Sequence, residues 1–363
     1  MKKYILKAFM LVALGAGMTS CGDTFLETDY YSGIDTEDAL TSISKISTAL
    51  NGTYYNLYHY SFAGNYAINI GDIPTDLSYW NGKTGHFDGI YTFTIVDTDT
   101  YLNSIWEYGY KVADNAARII EAIPALYENA TEEEKAELEL YLAEAYSLRG
   151  YAQLMLTNIF CHQIKVNGTD FSSEPGIVVI NTPIPAFEKV SRSTIGQSYE
   201  AVLSDLNNAI SHFDAAGGDR GQLQYFGKAA VYGLLARTNL YMENWDAAMS
   251  NAQNALDAAN ISTLTYGNDN YKALYNSETS NTESMFALAI TASQNWSANS
   301  SGTLWSSYNY SPSPKLQALY GENDAVQAFL HGIANRLQKF LNSKVVNFLT
   351  FHQVTLHMRQ IIS

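Results

Sequence analysis

The stretch from Tyr225 to Asn260 constrains the fold of this chain more than any other part of it. Small and large apolar residues recur there at spacings of three, four and seven, which is typical of helices packed closely on a neighbour. The pattern breaks only from Met242 to Trp245, so two antiparallel helices joined by a short turn are predicted. Such a pair has about the length of a tetratricopeptide repeat, roughly 34 residues. One pair cannot bury its own apolar face, so a stack of helix pairs is predicted.

Apolar stripes and capping motifs predict further helices before this hairpin. Two helix starts carry a capping box, at Thr131 with Glu134 and at Thr194 with Gln197. Residues 161–190 form a proline-containing connector, in which Ile177 to Ile180 is expected to form a short strand. The predicted helices run from about Asp35 to Tyr60, Tyr101 to Ala122, Thr131 to Phe160, and Thr194 to Ile210. The fold class is therefore mainly α, a tetratricopeptide-like scaffold of helix pairs with long irregular loops.

Composition agrees with a large packed protein and argues against a nucleic-acid ligand. Of 363 residues, 47% are hydrophobic and 13% aromatic, which is ample for a core. The net charge of -15 does not supply the basic surface that binding to a polyanion needs. Tyrosine is unusually common, with 27 residues. The tyrosine side chain has a flat apolar face and a polar hydroxyl, which suit a solvent-exposed surface that binds a ligand by stacking.

The N-terminus has the pattern of an export signal. Lysines precede an apolar run from Ala8 to Leu14, which is too short to remain as a membrane span. Cys21 follows directly after small residues, as in the lipobox of bacterial lipoproteins. The sequence predicts that residues 1–20 are a signal peptide and that Cys21 carries the lipid anchor. An ordinary secretory signal with an incidental cysteine is the alternative. With Cys21 lipidated, Cys161 is the other cysteine and no intramolecular disulfide is expected.

Two irregular regions, Ser61 to Thr100 and Ile261 to Pro314, are rich in aromatic and short polar residues. A sugar ring has an apolar face and a rim of hydroxyls, so a protein that binds it needs flat aromatic rings beside polar groups. Loops on a helical scaffold are where binding usually occurs. The candidate ligand-binding residues are Tyr79, Trp80, Asn81, Trp296, Trp305 and Tyr308.

Structural packing remains the alternative to ligand contact for Trp80, Trp296 and Trp305, because tryptophan is often partly buried in the core. Trp106 lies in a helix stripe and Trp245 at the repeat turn, and we expect structural roles for both.

The sequence lacks the spacings of the common catalytic motifs. It contains no HExxH, GxSxG, Walker or GxGxxG pattern. Asp97 to Thr100 has the DxDxT spacing of some aspartate-nucleophile phosphatases, but a turn with Asx hydrogen bonds is the preferred interpretation. Gly267 to Asn270 offers oxygen ligands for calcium, although a solvated turn is again preferred. No catalytic residue, metal site or cofactor is therefore predicted.

Several motifs occur in a fixed order along the chain. They are CGDTFLE from Cys21, LRGYAQLML from Leu148, RST from Arg192, DLNNAI from Asp205, GKAA from Gly227, NWDAA from Asn244, and KL at Lys315 followed by Asp324. Over residues 21–324 the chain thereby resembles the SusD/RagB family of outer-membrane glycan-binding lipoproteins found in Bacteroidetes.

This resemblance implies a helical, tetratricopeptide-like fold without catalytic activity. It also implies a lipid-anchored position at the cell outer membrane, exposed on the surface, and a complex with a TonB-dependent transporter of the SusC type. The protein would sit as a lid over the transporter and help to capture an oligosaccharide such as a starch fragment, or another nutrient. Ligand residues vary between members, so no binding position carries over. A repeat scaffold that binds only protein partners is the alternative, and a glycoside hydrolase is the least favoured interpretation.

The end of the chain departs from the family pattern. Residues 325–363 contain no Asp or Glu but three of the seven histidines. Family members usually continue well beyond this length with further helices. We therefore expect a helical domain over residues 21–324, followed by a divergent tail over residues 325–363, for which an out-of-frame origin is the alternative to a native one.

Overall fold

The structure is a computed structural model that describes residues 39–262, 270, 283–288, 290–291 and 293–320. The chain divides into two units, residues 1–41 and 42–363, and the fold below is that of the second unit. Its elements in chain order are α1 Ile43–Tyr58, α2 Tyr66–Asn69, β1 Ser78–Trp80, α3 Asp88–Tyr91, α4 Thr100–Ala122, a 3-10 helix Ile123–Asn129, α5 Glu132–Phe160, β2 Lys165–Val166, β3 Thr169–Asp170, α6 Ile195–Ala215, α7 Lys228–Tyr241, α8 Trp245–Ala258, a 3-10 turn Ser297–Asn299, α9 Ser301–Thr303, a π-helical turn Leu304–Tyr308, β4 Tyr310–Pro312 and α10 Pro314–Ala318.

The long helices form the scaffold of helix pairs that the sequence predicts. Neighbours in the sequence pack on each other from α4 to α8, and α1 packs on α4 and α5. Two glycines let the helices approach closely. A Cβ atom on Gly109 would lie 2.7 Å from Cδ2 of Leu156, and one on Gly150 would lie 3.1 Å from Cδ2 of Leu206. The mainly α, tetratricopeptide-like fold class is confirmed.

A buried ion pair ties α5 to α6 and joins two of the sequence motifs. Arg149 donates from Nη2 to Oδ1 of Asp205 at 2.6 Å and from Nε to Oδ2 at 2.9 Å. Gln153 donates to the same carboxylate at 3.0 Å. Burial raises the pKa of Asp205, and the guanidinium opposes that rise. The third guanidinium contact, to the carbonyl of Asn181 at 2.7 Å, fixes the connector on α5.

Both predicted capping boxes are present, but the start predicted for the first helix is wrong. Thr131 with Glu134 and Thr194 with Gln197 each exchange the two capping hydrogen bonds. Residues 39–42 form a turn, and α1 begins only at Ile43. The side chain of Ser42 accepts from the backbone of Lys45, so a cap that the apolar stripe did not reveal sets the boundary.

The strand predicted from Ile177 to Ile180 does not form. Three backbone N–H groups of this segment donate to side chains of neighbouring helices rather than to another strand. Ile177 donates to Oγ of Ser198 at 3.1 Å, and Ile180 donates to Oε1 of Gln153 at 2.8 Å. Val178 donates to the hydroxyl of Tyr110 at 2.9 Å. The segment is apolar because it is buried against helices.

Candidate functional site

The two irregular regions that carry the candidate residues fold together into one layer. Strand β1 pairs antiparallel with β4, and Trp80 lies opposite Tyr310 in the register. The backbone of Asn81 donates to the carbonyl of Asn309 at 2.9 Å, which extends the pairing by one residue. Segments far apart in the sequence therefore meet at their aromatic positions.

A network of buried amides orients Trp305. Oδ1 of Asn69 accepts from Nε1 of Trp305 at 2.6 Å. Nδ2 of the same amide donates to Oγ of Ser301 at 2.9 Å, and Asn65 donates to the carbonyl of Asn299 at 2.7 Å. Asn65, Asn69 and Ser301 are at most 2% exposed. Because unmatched polar groups at this depth would destabilise the fold, the network holds the indole in one orientation.

Trp80 and Trp305 belong to one row of aromatic rings, which we call the Trp80–Trp305 row. Its ring centroids follow one another at 5.8 to 5.9 Å in the order Trp80, Tyr91, Tyr310 and Trp305. Nε1 of Trp80 donates to the carbonyl of Thr84 at 3.0 Å. Both tryptophans are half-buried, so each packs on the protein with part of its ring and leaves the rest accessible.

Trp296 packs on the aromatic end of α1. Its ring centroid lies 5.1 Å from Tyr58, 4.9 Å from His59, 5.3 Å from Tyr60 and 6.1 Å from Tyr55. Nε1 of Trp296 donates to the carbonyl of Tyr58 at 3.1 Å. Tyr55 is 56% exposed, while Trp296, His59 and Tyr60 are half-buried. We call the five residues Tyr55, Tyr58, His59, Tyr60 and Trp296 the Trp296 cluster.

Tyr66 on α2 links this cluster to Tyr101 on α4, and through His86 the contacts continue to Tyr308. The ring of Tyr66 lies 5.4 Å from Tyr60 and 5.0 Å from Tyr101. His86 lies 6.4 Å from Tyr101 and 5.4 Å from Tyr308. Burial raises the pKa of Tyr66 and of Tyr101, so both phenols stay neutral and can donate hydrogen bonds. We call the whole group the aromatic layer. It consists of the Trp296 cluster, the Trp80–Trp305 row and the four linking residues Tyr66, His86, Tyr101 and Tyr308.

The remaining two candidates have different surroundings. Tyr79 is 51% exposed and lies on the other face of β1 from Trp80, because successive strand residues alternate. The side chain of Asn81 accepts from the backbone of Lys83 at 2.9 Å and thereby shapes the turn after β1. Of the six candidates, Trp80, Trp296, Trp305 and Tyr308 lie in the aromatic layer.

Sequence reasoning missed the contribution of α1 and α4 to this layer. His59 and Tyr60 follow directly on α1, and the ring of Tyr108 on α4 stacks on His59 at 3.9 Å. The run YYNLYHY over residues 54–60 is the densest aromatic string in this part of the sequence. The sequence pattern indicates the end of a core helix for this run. It therefore does not predict that the rings of His59 and Tyr60 contact Trp296 of an irregular region.

Residues assigned structural roles give a mixed result. Trp106 packs on Tyr110 and Phe160, with ring centroids 4.8 and 4.9 Å away, as expected. Trp245 is 60% exposed at the first position of α8, so the expectation that it packs is wrong. Asp99 caps α4 by accepting from the backbone of Leu102 at 2.9 Å, which accounts for the DxDxT spacing as a helix start.

Several predictions lie outside the described residues. These are the signal peptide over residues 1–20, the lipidation of Cys21, the turn over residues 267–269 and the tail from residue 325. Among the residues that are described, no group of His, Cys, Asp or Glu has the arrangement of a metal site. No helix in the same ranges has both the length and the apolar character needed to cross a membrane.

A comparison with family models identifies the chain. The model of the family SusD-like_3, described as "Starch-binding associating with outer membrane", matches residues 24–240. The chain belongs to this SusD-like family. A comparison with curated proteins gives no match.

Solved structures of SusD-like proteins share the fold. A SusD superfamily protein from Bacteroides thetaiotaomicron is 22% identical with a TM-score of 0.68, over 77% of this chain and 61% of that one. A SusD superfamily protein from Bacteroides vulgatus is 20% identical with a TM-score of 0.68, over 77% and 62%. A SusD-like carbohydrate binding protein from Bacteroides vulgatus is 18% identical with a TM-score of 0.63, over 79% and 60%. This SusD-like chain therefore spans about three fifths of the length of these structures.

Proposed function

We propose that this SusD-like protein is a glycan-binding lipoprotein without enzymatic activity, which works with a SusC-like TonB-dependent transporter at the outer membrane. The observation that carries the proposal is the aromatic layer, which the two irregular regions form together with residues of α1 and α4. Membership in a family described as starch-binding supports the same class of ligand.

The tryptophans of this layer suit stacking against sugar rings. Trp80, Trp296 and Trp305 each donate their indole N–H to an acceptor within the protein. Their exposed surface is therefore apolar ring, held in a fixed orientation before any ligand arrives. A preorganised ring loses little conformational freedom on binding, which favours affinity. The apolar face of a pyranose is the matching surface.

The proposed ligand-binding residues are the six candidates, with Trp296 as the principal stacking platform. Trp296 stands beside Tyr55, His59 and Tyr60, which are exposed or half-buried and carry polar groups. Trp80, Trp305 and Tyr308 would extend the surface along an oligosaccharide. Tyr79 and Asn81 would contribute at its margin.

Glycan binding is tested with purified protein lacking residues 1–20, by isothermal titration against neutral oligosaccharides. A suitable panel contains maltoheptaose, laminarihexaose, xylohexaose and mannohexaose. Saturable binding of at least one member supports the proposal. Binding of none, together with retained association with the transporter, would favour a scaffold that recognises only proteins. Release of new reducing ends from the panel would instead indicate a glycoside hydrolase.

The anchor and the transporter partner are proposed from the N-terminal pattern and the family resemblance. Metabolic labelling with a palmitate analogue should mark the wild-type protein and not the Cys21→Ser variant. Affinity purification from detergent-solubilised outer membranes should recover a TonB-dependent transporter with the wild-type protein. Labelling that persists in the Cys21→Ser variant would contradict the anchor.

A further inference from the structure

We infer that His59 is a specificity-determining residue of the Trp296 cluster, donating a hydrogen bond from Nε2–H to an oxygen of a neutral sugar ring stacked beside it. The inference rests on the proposed glycan binding and adds to it the polar group that fixes the orientation of the sugar.

The imidazole ring of His59 is held on several sides. Tyr108 stacks on it with a centroid distance of 3.9 Å and an interplanar angle of 8°. Tyr60 lies 4.3 Å away, and Trp296 meets the imidazole at 4.9 Å in an edge contact. The ammonium of Lys111 lies 4.3 Å from the ring centroid of Tyr108. The ring of His59 therefore has little freedom to rotate.

The backbone of His59 is fixed as well. Its carbonyl accepts from the N–H groups of Phe62 at 2.8 Å and Gly64 at 3.1 Å. A Cβ atom at position 64 would overlap the carbonyl oxygen of Tyr58, so this turn requires glycine. Backbone and ring together place the imidazole in a defined position beside Trp296.

The hydrogen bonds of His59 select one tautomer. The backbone N–H of Ser61 donates to Nδ1 at 3.2 Å, so Nδ1 acts as an acceptor and carries no proton. The proton of the neutral ring then lies on Nε2. Within the described part of the chain Nε2 has no partner, and it is not one of the buried unsatisfied nitrogens, so solvent reaches it.

The charges around His59 agree with a neutral ring. Burial and the ammonium of Lys111 lower the pKa of His59, and Glu107 opposes them. Glu107 is itself paired with Lys111 at 2.7 Å. A neutral imidazole offers a single N–H donor in a fixed direction beside an indole face. The ligand atom that it recognises is a hydroxyl or acetamido oxygen of a pyranose stacked on Trp296.

The first test reads the tautomer by ¹⁵N NMR of the histidine side chains at pH 7.5. We expect the Nε2–H form of His59 in the free protein and a shift of its Nε2 resonance on titration with the panel oligosaccharide that binds most tightly. An Nδ1–H form, or an unchanged Nε2 resonance in the saturated protein, would overturn the inference.

The second test uses a pair of substitutions that separate the two ring nitrogens. In His59→Asn the amide oxygen can replace Nδ1 as the acceptor for Ser61, but no group replaces Nε2–H. In His59→Gln the longer amide places an N–H donor near the position of Nε2. We expect the Asn variant to bind the same oligosaccharide about tenfold more weakly, and the Gln variant to recover most of that loss.

His162→Ala is the matched control, because His162 is an exposed histidine whose ring packs on Phe171. It should bind like the wild type. Equal affinity of His59→Asn and the wild type would overturn the role of His59 while leaving glycan binding in place. Wild-type protein that binds no panel member would instead refute the proposed function itself.

Discussion

The indole N–H of Trp305 donates to the side-chain oxygen of Asn69 at 2.6 Å, although 236 residues separate the two in the sequence. Asn69 is 2% exposed, and its amide also donates to Oγ of Ser301 at 2.9 Å. One buried amide therefore joins the two irregular regions and orients a ring of the proposed binding surface. A substitution of Asn69 should therefore both destabilise the junction of the two regions and alter the orientation of Trp305 in the proposed site.

Replacing Asn69 with leucine should lower the free energy of unfolding by about 1–3 kcal/mol. The substitution leaves the N–H of Trp305 and the hydroxyl of Ser301 without their buried partner. Urea unfolding followed by tryptophan fluorescence measures the change. Asn207→Leu is the control, because Asn207 is exposed and bonds only within its own helix. Equal stability of the two variants would contradict the structural role of the amide.

Replacing one member of the ion pair between Arg149 and Asp205 should lower the stability of the protein more than replacing both. Arg149→Met leaves a carboxylate buried without its partner, and a loss of about 3–5 kcal/mol is expected in urea unfolding. The double variant Arg149→Met with Asp205→Leu should be more stable than the single one, because no buried charge remains. Lys135→Met, which breaks an exposed pair with Glu132, should change stability by less than about 1 kcal/mol. A double variant less stable than the single one would refute this account.

Glu144 should make stability depend on pH between about 4.5 and 7. Its carboxyl is fully buried against Arg220, and burial raises its pKa from 4.5 to about 7. The folded protein then keeps a proton that the unfolded chain releases in this window, so the contribution of Glu144 is largest below pH 4.5 and falls as the pH rises. Relative to Glu144→Gln, the wild type should lose roughly 3 kcal/mol across the window. A constant difference between the two proteins from pH 4.5 to 7 would contradict the raised pKa.

Two glycine positions should give stability changes of opposite sign. Gly109→Ala places a Cβ atom 2.7 Å from Leu156 at the contact of α4 with α5, and should destabilise the protein by about 1–3 kcal/mol. Gly52 lies in α1, where an added Cβ atom would have nothing within 4 Å, so Gly52→Ala should stabilise the protein by about 0.5–1 kcal/mol. Differential scanning calorimetry measures both. A higher melting temperature for Gly109→Ala would show that the helices are not packed so closely.

The helical scaffold was predictable because its determinants are local. Periodic apolar residues mark the hairpin of α7 and α8, and the hydroxyl and carboxylate of Thr131 and Glu134 mark a helix start within four residues. The strand predicted from Ile177 to Ile180 was wrong because the conformation of this segment is set by long-range contacts. Its backbone partners, Ser198, Tyr110 and Gln153, come from three different helices, and no local pattern reveals such long-range contacts.

The proposed site was predictable only in part, for the same physical reason. Aromatic residues in polar loops pointed to Trp80, Trp296 and Trp305, but their grouping depends on Asn69 and on the pairing of β1 with β4. His59 was overlooked because its importance lies in ring contacts with Tyr108 and Trp296, which are distant in the sequence and which only the fold brings together.

The most direct measurement is the affinity of Trp296→Ala for the panel oligosaccharide that the wild-type protein binds most tightly, determined by isothermal titration. Trp245→Ala is the matched control, because Trp245 is 60% exposed on α8, outside the aromatic layer. We predict that Trp296→Ala weakens binding about tenfold or more, while Trp245→Ala binds like the wild type. Equal affinity of Trp296→Ala and the wild type, with the fold intact, would contradict the proposal that this layer binds glycans.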